Sequence, residues 1–200
     1  MAIQGDRIQC LTCQALITDG NRVRPGCKEV DNLSWSRKAS AKEMLMYQLE
    51  VKRWLVVYRF PPSEGWKVQV DVDAMERARG GEHKPDKIAR ARAAEDGLLA
   101  LGAFIGAHPK YGRADIVAEH PKFGTYIVEV EGTSSRQKEQ AVYSALGQLV
   151  LQMQGAKAHF LLAVPDDMSW EKQLRKIPPH AKATLGLSCL LVSEGGVKEV

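Results

Sequence analysis

The chain has 200 residues, 44% of them hydrophobic and 26% charged, with a net charge of +4 and no repeated or low-complexity segment, which suits one packed domain with an appendage. No basic segment followed by an apolar run opens the sequence and no apolar stretch reaches membrane-spanning length, so a secreted or membrane-spanning protein is not expected and a cytoplasmic address is. The mildly basic balance permits nucleic-acid binding without requiring it.

Residues 1 to about 39 carry Gly, Asn, Asp and Pro at short intervals and read as short elements joined by turns. Cys10 and Cys13 form a CxxC with Cys27 further on, while Cys189 stands far away. No fourth Cys or His lies near the first three, since the first histidine is His83, so they read as free thiols. A zinc site completed by a distant residue or a second chain is the alternative. Ser40, with Glu43 three residues later, forms a capping box for a helix through "AKEMLMYQLEVKRW". "WLVVYRF" is rich in β-branched and aromatic residues and reads as a strand, paired with "WKVQVDVD" across the turn "PPSEG". Arg77, Arg79, Lys84, Lys87, Arg90 and Arg92 then crowd one short region, whose plain reading is a solvated helix face.

From Pro85 onward the order is clearer. A helix runs to about Ile105, strands follow over 113–119 and 125–131 with "HPKFG" as the turn between them, and a helix covers 135–154, capped by Ser134 with Gln137. A strand over 158–164, a helix from about 169 to 182 and a strand over 187–193 complete the chain. The crossover from strand 125–131 through a helix to "AHFLLAV" is long enough for a parallel βαβ unit. The expected fold class is therefore α/β (α+β), a mixed sheet flanked by helices. Residues 1–80 read as an N-terminal accessory region and 81–200 as the core.

Carboxylates stand where buried strands should have none. With period two, Glu129 and Glu131 share one face of strand 125–131, and Asp115 interrupts the apolar run Ala114, Ile116, Val117, Ala118. Helical spacing also sets Glu95 in a stripe with Ile88, Ala91, Leu98, Leu99 and Gly102. Four carboxylates, Glu95, Asp115, Glu129 and Glu131, are thus expected to converge from one helix and two strands. Clustered carboxylates repel one another unless a cation neutralises them, and an all-oxygen set suits hard ions such as Mg²⁺, Mn²⁺ or Ca²⁺.

The plain readings stand beside this one. "VEVEG" also suits a solvent-facing sheet edge, Gln140 and Gln148 the polar face of a helix, and Lys138 an ordinary surface position. His83, His108, His120, His159 and His180 show no metal or triad spacing, and Asp166 with Asp167 reads as a cap for the helix at Met168 or Ser169.

The strand "GRADIVAE" followed by "YIVEVEG", within the order helix, strands, helix, strand, resembles the PD-(D/E)XK nuclease superfamily and its restriction-endonuclease-like fold. The resemblance covers residues 85–200. It implies a metal-dependent endonuclease with Mg²⁺ or Mn²⁺ held by Asp115 and Glu129, with Glu95 as the acid often contributed by the first helix. "QAVYSALGQL", with Gln140 and Gln148, looks like the glutamine-bearing helix found after E-x-K in many members. Two positions depart from the pattern: Ala114 replaces the Pro before the metal Asp, and Glu131 replaces the Lys, giving E-x-E. Glu131 would then position a metal or the attacking water, or Lys138 would supply the cation from one turn into the next helix. A dead site kept as a nucleic-acid-binding or assembly scaffold is the remaining alternative. Duplex DNA is the implied partner, with Arg90, Arg92, Arg136, Lys138, Gln140 and Gln148 as contacts and a homodimer as an assembly many relatives use.

Overall fold

The computed structural model describes residues 46–79, 83–112, 114–133, 137–153 and 157–200, together with the backbone of two short N-terminal strands. The chain forms two compact units, Met1–Lys42 and Glu43–Val200. In the first, β1 (Ile8–Gln9) pairs antiparallel with β2 (Leu16–Ile17). Cys10, Cys13, Cys27 and the capping box at Ser40 lie outside the described residues. The elements between 46 and 79 fall in the second unit, with the sheet and its covering helix.

The first of these elements corrects the strand expected over "WLVVYRF". A single helix, α1 (Gln48–Arg59), runs through it, burying Leu49, Val51, Lys52, Leu55 and Val56. Those positions recur at three- and four-residue intervals, and packing on a helical stripe outweighs the β preference of Val56, Val57 and Tyr58. "PPSEG" is accordingly a helix-to-strand connection: a short 3₁₀ turn at Pro62–Glu64, then Gly65 at φ 95°, a conformation that glycine adopts without strain. The strand β3 (Lys67–Val70) follows, but it pairs with later strands rather than in a hairpin.

The helix α2 (Pro85–Ala100) begins at Pro85 as expected and leads to β4 (Phe104–Ile105). β5 (Ile116–His120) and β6 (Gly124–Val130) form the antiparallel hairpin, α3 (Lys138–Gln152) crosses over, and β7 (Ala158–Pro165) pairs parallel with β6. The single helix expected over 169–182 is two, α4 (Met168–Leu174) and α5 (Pro179–Leu185), because Pro178 and Pro179 bar a continuous helix. Asp167 caps α4, accepting from the Ser169 and Trp170 amides, as its sequence position suggests. β8 (Leu187–Ser193) and a final edge strand, β9 (Gly196–Glu199), complete a seven-stranded mixed sheet of order β4-β3-β5-β6-β7-β8-β9.

Alternation along the strands divides the core in two. Val128, Val130, Ile116, Ala118, Leu161 and Ala163 face α1 and α2, while Val117, Ile127, Phe160, Leu162 and Val164 pack with α3 and α4. The fold is thus α/β, a mixed sheet flanked by helices. Among the described residues no helix is long and apolar enough to cross a membrane.

Candidate active site

Three strand ends meet at one end of this sheet. β3 and β6 both run antiparallel to β5, so their C-termini lie beside its N-terminus. Ile116 pairs with Val128, which sets Asp115 opposite Glu129 one residue further out, and the Asp71 amide donates to the Asp115 carbonyl at 3.0 Å. Asp115 Oδ2 accepts the Val130 amide at 2.7 Å, fixing the carboxylate against the strand that carries Glu129.

A residue absent from the sequence reading joins them. Lys52 is 0% exposed on the buried stripe of α1, and its ammonium reaches Asp115 Oδ1 at 2.7 Å, Glu76 Oε1 at 2.7 Å and the Asp71 carbonyl at 2.6 Å. All three of its donors are used. Burial disfavours the ammonium, but Asp115 and Glu76 outweigh it and hold the Lys52 pKa above its ordinary value. One turn earlier, Gln48 Nε2 lies 3.3 and 3.4 Å from the two Asp115 oxygens.

Gly132 explains how α1 comes so close. A Cβ at that position would stand 2.2 Å from the Gln48 amide nitrogen, so only glycine lets the chain leaving β6 pass the first turn of the helix. Thr133 then clamps the same turn, donating from its hydroxyl to the Met46 carbonyl at 2.7 Å and accepting the Met46 amide at 2.9 Å. The glycine that ends "VEVEG" therefore sets the approach of Gln48 and Lys52 to Asp115.

Glu129 is 2% exposed, and Gln152 from the end of α3 donates to its Oε1 at 2.7 Å. Burial, then the charge of Asp115 and a hydrogen bond shared with it, pushes the Glu129 pKa up to about 9. Burial likewise raises Glu76 to about 7, with Lys52 opposing the shift and Asp115 adding to it. Among the described residues Glu76 Oε2 and Gln152 Oε1 are buried without a hydrogen-bond partner. At neutral pH the end of the sheet thus holds an ammonium at Lys52 and, hydrogen-bonded to Asp115, a carboxylic acid at Glu129.

The other expected site residues lie elsewhere or at its margin. Glu131 is half-buried one residue past the end of β6, its amide donating to the Ala163 carbonyl at 3.0 Å. Glu95 does not join the cluster: it pairs with Arg77 at 2.9 Å, because the buried stripe of α2 runs through Ala91, Ala94 and Leu98 while Ile88 and Leu99 are exposed. Lys138 is held by Asp167 at 3.0 Å and by Ser169, with its ammonium 5.3 Å from the Trp170 ring centre. It therefore caps the α3–α4 contact and does not reach toward Glu129. Arg90 pairs with Glu50 across the α1–α2 contact at 2.7 Å, whereas Arg92, Gln140 and Gln148 are exposed. Arg136 lies outside the described residues. A groove lined by Val142, Tyr143, Leu146, Ile177 and Leu185 shares no residue with the cluster.

Compared with family models, curated proteins and solved structures, the chain matches none.

Proposed function

We propose that the chain is a divalent-metal-dependent nuclease that hydrolyses DNA phosphodiester bonds, with Asp115 and Glu129 as the metal-binding pair and Lys52 as the cation that the E-x-E strand lacks. The observation that carries this reading is the meeting of Asp115, Glu129 and a fully buried Lys52 at one end of the sheet. The order helix, strands, helix, strand around them is the one the PD-(D/E)XK resemblance implies, with α1 rather than α2 as the first helix. Nothing in an ordinary core requires a carboxylate pair across neighbouring strands, since each buried charge costs several kcal/mol unless compensated.

The donor set suits a hard ion. Among the described residues no three His, Cys, Asp or Glu side chains form a metal-binding group, but Mg²⁺ is commonly held by one or two carboxylates, with waters and substrate phosphates filling the other positions. Burial first, and then the charge of Asp115, raises the proton affinity of Glu129, and a bound cation would offset both. Asp115 and Glu129 would hold the ion, which when bound withdraws charge from the scissile phosphate and eases deprotonation of water. Lys52, anchored by Glu76 and the Asp71 carbonyl, pairs with Asp115 and presents a positive charge beside the place where charge develops. Glu131, two residues on from Glu129, is assigned the role of taking the water's proton. Gln48 and Gln152 orient the two carboxylates.

The same closed network favours a second reading, a catalytically inactive nuclease fold serving as a nucleic-acid-binding or assembly module. Lys52 already satisfies Asp115 and Glu76, as a purely structural ion pair would. Incubation of plasmid DNA with Mg²⁺ or Mn²⁺ separates the two: cleavage that disappears in Asp115→Ala and in Lys52→Met supports the enzyme. Intact plasmid and intact single strands with the wild-type protein in both metals support the scaffold.

A further inference from the structure

The opposite end of the sheet carries a second constellation that the cleavage chemistry does not use. Five steps along β5 from Asp115, roughly 17 Å away at the rise of an extended strand, His120 begins a run of rings. Trp66, His120, Phe123, Tyr126 and His159 come from the approach to β3, the end of β5, the β5–β6 turn, β6 and β7; Trp66 touches His120, Phe123 and Tyr126, and Tyr126 touches His159.

The rings form two stacks rather than a disordered cluster. Trp66 and Phe123 lie nearly parallel, with an interplanar angle of 14° and centroids 5.9 Å apart. Tyr126 and His159 stack at 25° and 4.5 Å, and Trp66 meets Tyr126 edge-on at 74° between the two pairs. Each stack ends in an exposed ring, Phe123 at 48% exposure and His159 likewise accessible. Each also has a cation: Lys122 Nζ stands 5.3 Å from the Phe123 centroid and the Arg59 guanidinium 5.9 Å from that of Tyr126. Exposed Lys157 follows two residues before His159. Among the described residues Arg59, Lys122 and Lys157 are not paired with a carboxylate within 4.0 Å. The arrangement is held in place beforehand, since His120 Nδ1 accepts the Lys122 amide at 3.0 Å and its Nε2 lies 3.2 Å from the Glu64 carbonyl.

Flat, partly exposed rings with cations over two of them match the chemistry of unpaired nucleotides, whose bases stack and whose phosphates carry negative charge. A partner protein's apolar side chains would need no parallel rings, and no unpaired basic groups beside them. We propose that Trp66, Phe123, Tyr126 and His159, with Arg59 and Lys122, form a second binding site that takes single-stranded DNA, two bases extending the stacks on Phe123 and His159. The site rests on the ring geometry. The choice of DNA rests on the nuclease reading, so the test is made without divalent ion and does not depend on cleavage.

Anisotropy of a labelled oligothymidylate in EDTA, with the full chain, reads the site directly. Phe123→Leu with His159→Leu keeps apolar bulk but removes the rings, and weakens binding at least about tenfold, as the loss of two base stacks requires. Phe123→Trp with His159→Trp restores wild-type affinity. Arg59→Ala with Lys122→Ala reduces the magnitude of the salt slope by about 1.4, two single-strand phosphate contacts' worth. Wild-type protein that does not bind the oligonucleotide, or leucine variants that bind it undiminished, overturns the proposal. Tighter binding of oligouridylate than of oligothymidylate overturns DNA as the ligand. Self-association of the wild-type chain that the leucine variants abolish makes a second copy the occupant instead.

Discussion

The two ends of one sheet are built on opposite principles. At the Asp115 end, charged and polar groups are taken out of water and each is tied to another: Lys52 is 0% and Glu129 2% exposed. At the His120 end, rings that could fill a core are left half in solvent with unpaired cations beside them. Burying a charge costs stability, so the first end is sensitive to any single loss. Exposing rings costs little where they already lean on one another, so the second end tolerates change and contributes surface. The same α1 serves both, bringing Gln48 and Lys52 to one and Arg59 to the other.

The largest effect expected is on chemistry. Asp115→Ala and Glu129→Ala each lower Mg²⁺- or Mn²⁺-dependent cleavage by at least roughly two to three orders of magnitude with the fold intact by circular dichroism, while Phe123→Leu leaves cleavage of duplex plasmid within a small factor. Equal losses at both ends would erase the contrast.

Stability separates the ends next. Lys52→Met leaves Asp115 and Glu76 buried without their cation, and urea denaturation should show a loss of about 3–5 kcal/mol, against about 0.5 kcal/mol or less for the exposed Phe123→Leu. A Lys52→Met protein as stable as wild type would mean that the network is dispensable and the charges uncompensated only on paper.

The acidic end also imposes a pH dependence. Glu129 goes from an ordinary value of 4.5 to about 9 and Glu76 to about 7 on folding, so between these limits the folded chain holds protons that the unfolded chain has lost. Stability is therefore full below about pH 4.5 as far as these groups are concerned and falls as pH rises, through about 7 for Glu76 and about 9 for Glu129. Glu129→Gln removes its share, flattening thermal-midpoint profiles from pH 5 to pH 9 and raising the midpoint at the alkaline end. Identical profiles for variant and wild type would place Glu129 in water, against its burial.

Smaller effects test the assignment of roles. Glu131→Gln should lower the cleavage rate with DNA affinity unchanged, whereas Lys138→Ala, which removes a partly exposed pair with Asp167 and the contacts to Ser169 and Trp170, should cost about 1 kcal/mol of stability and spare cleavage. Arg90→Ala with Arg92→Ala should slightly flatten the salt dependence of duplex binding, and less than two phosphate contacts would imply, because Arg90 is engaged with Glu50.

How much of this could be read from the chain follows from the range of each interaction. β5, β6, α3, β7 and β8 were legible because their apolar periods and turn residues are local, and so was the meeting of Asp115 with Glu129, which follows once the hairpin register is set. Lys52 was not legible: it stands in the apolar stripe of Leu49, Leu55 and Val56, but that stripe was hidden by a β-branched run, and its partner Asp115 is distant in sequence. Gln152 carried a usable signal, a polar residue three positions after Leu149 and seven after Ala145, which was missed in favour of the exposed Gln140 and Gln148. Glu95 gave the same kind of signal and it misled, because the buried stripe of α2 is turned toward Ala91, Ala94 and Leu98 by packing that the helix's own sequence does not encode.

Calorimetric titration of Mn²⁺ into the wild-type chain, Asp115→Asn and Glu129→Gln at one pH tests the central claim most directly, since it asks whether the carboxylate pair holds an ion without asking whether anything is cut. Wild type is expected to give a saturable heat, with proton release from Glu129 revealed by buffers of different ionisation enthalpy, and both variants to lose that heat. Unchanged affinity in the two variants, or a wild-type chain that takes up no ion, would contradict that claim.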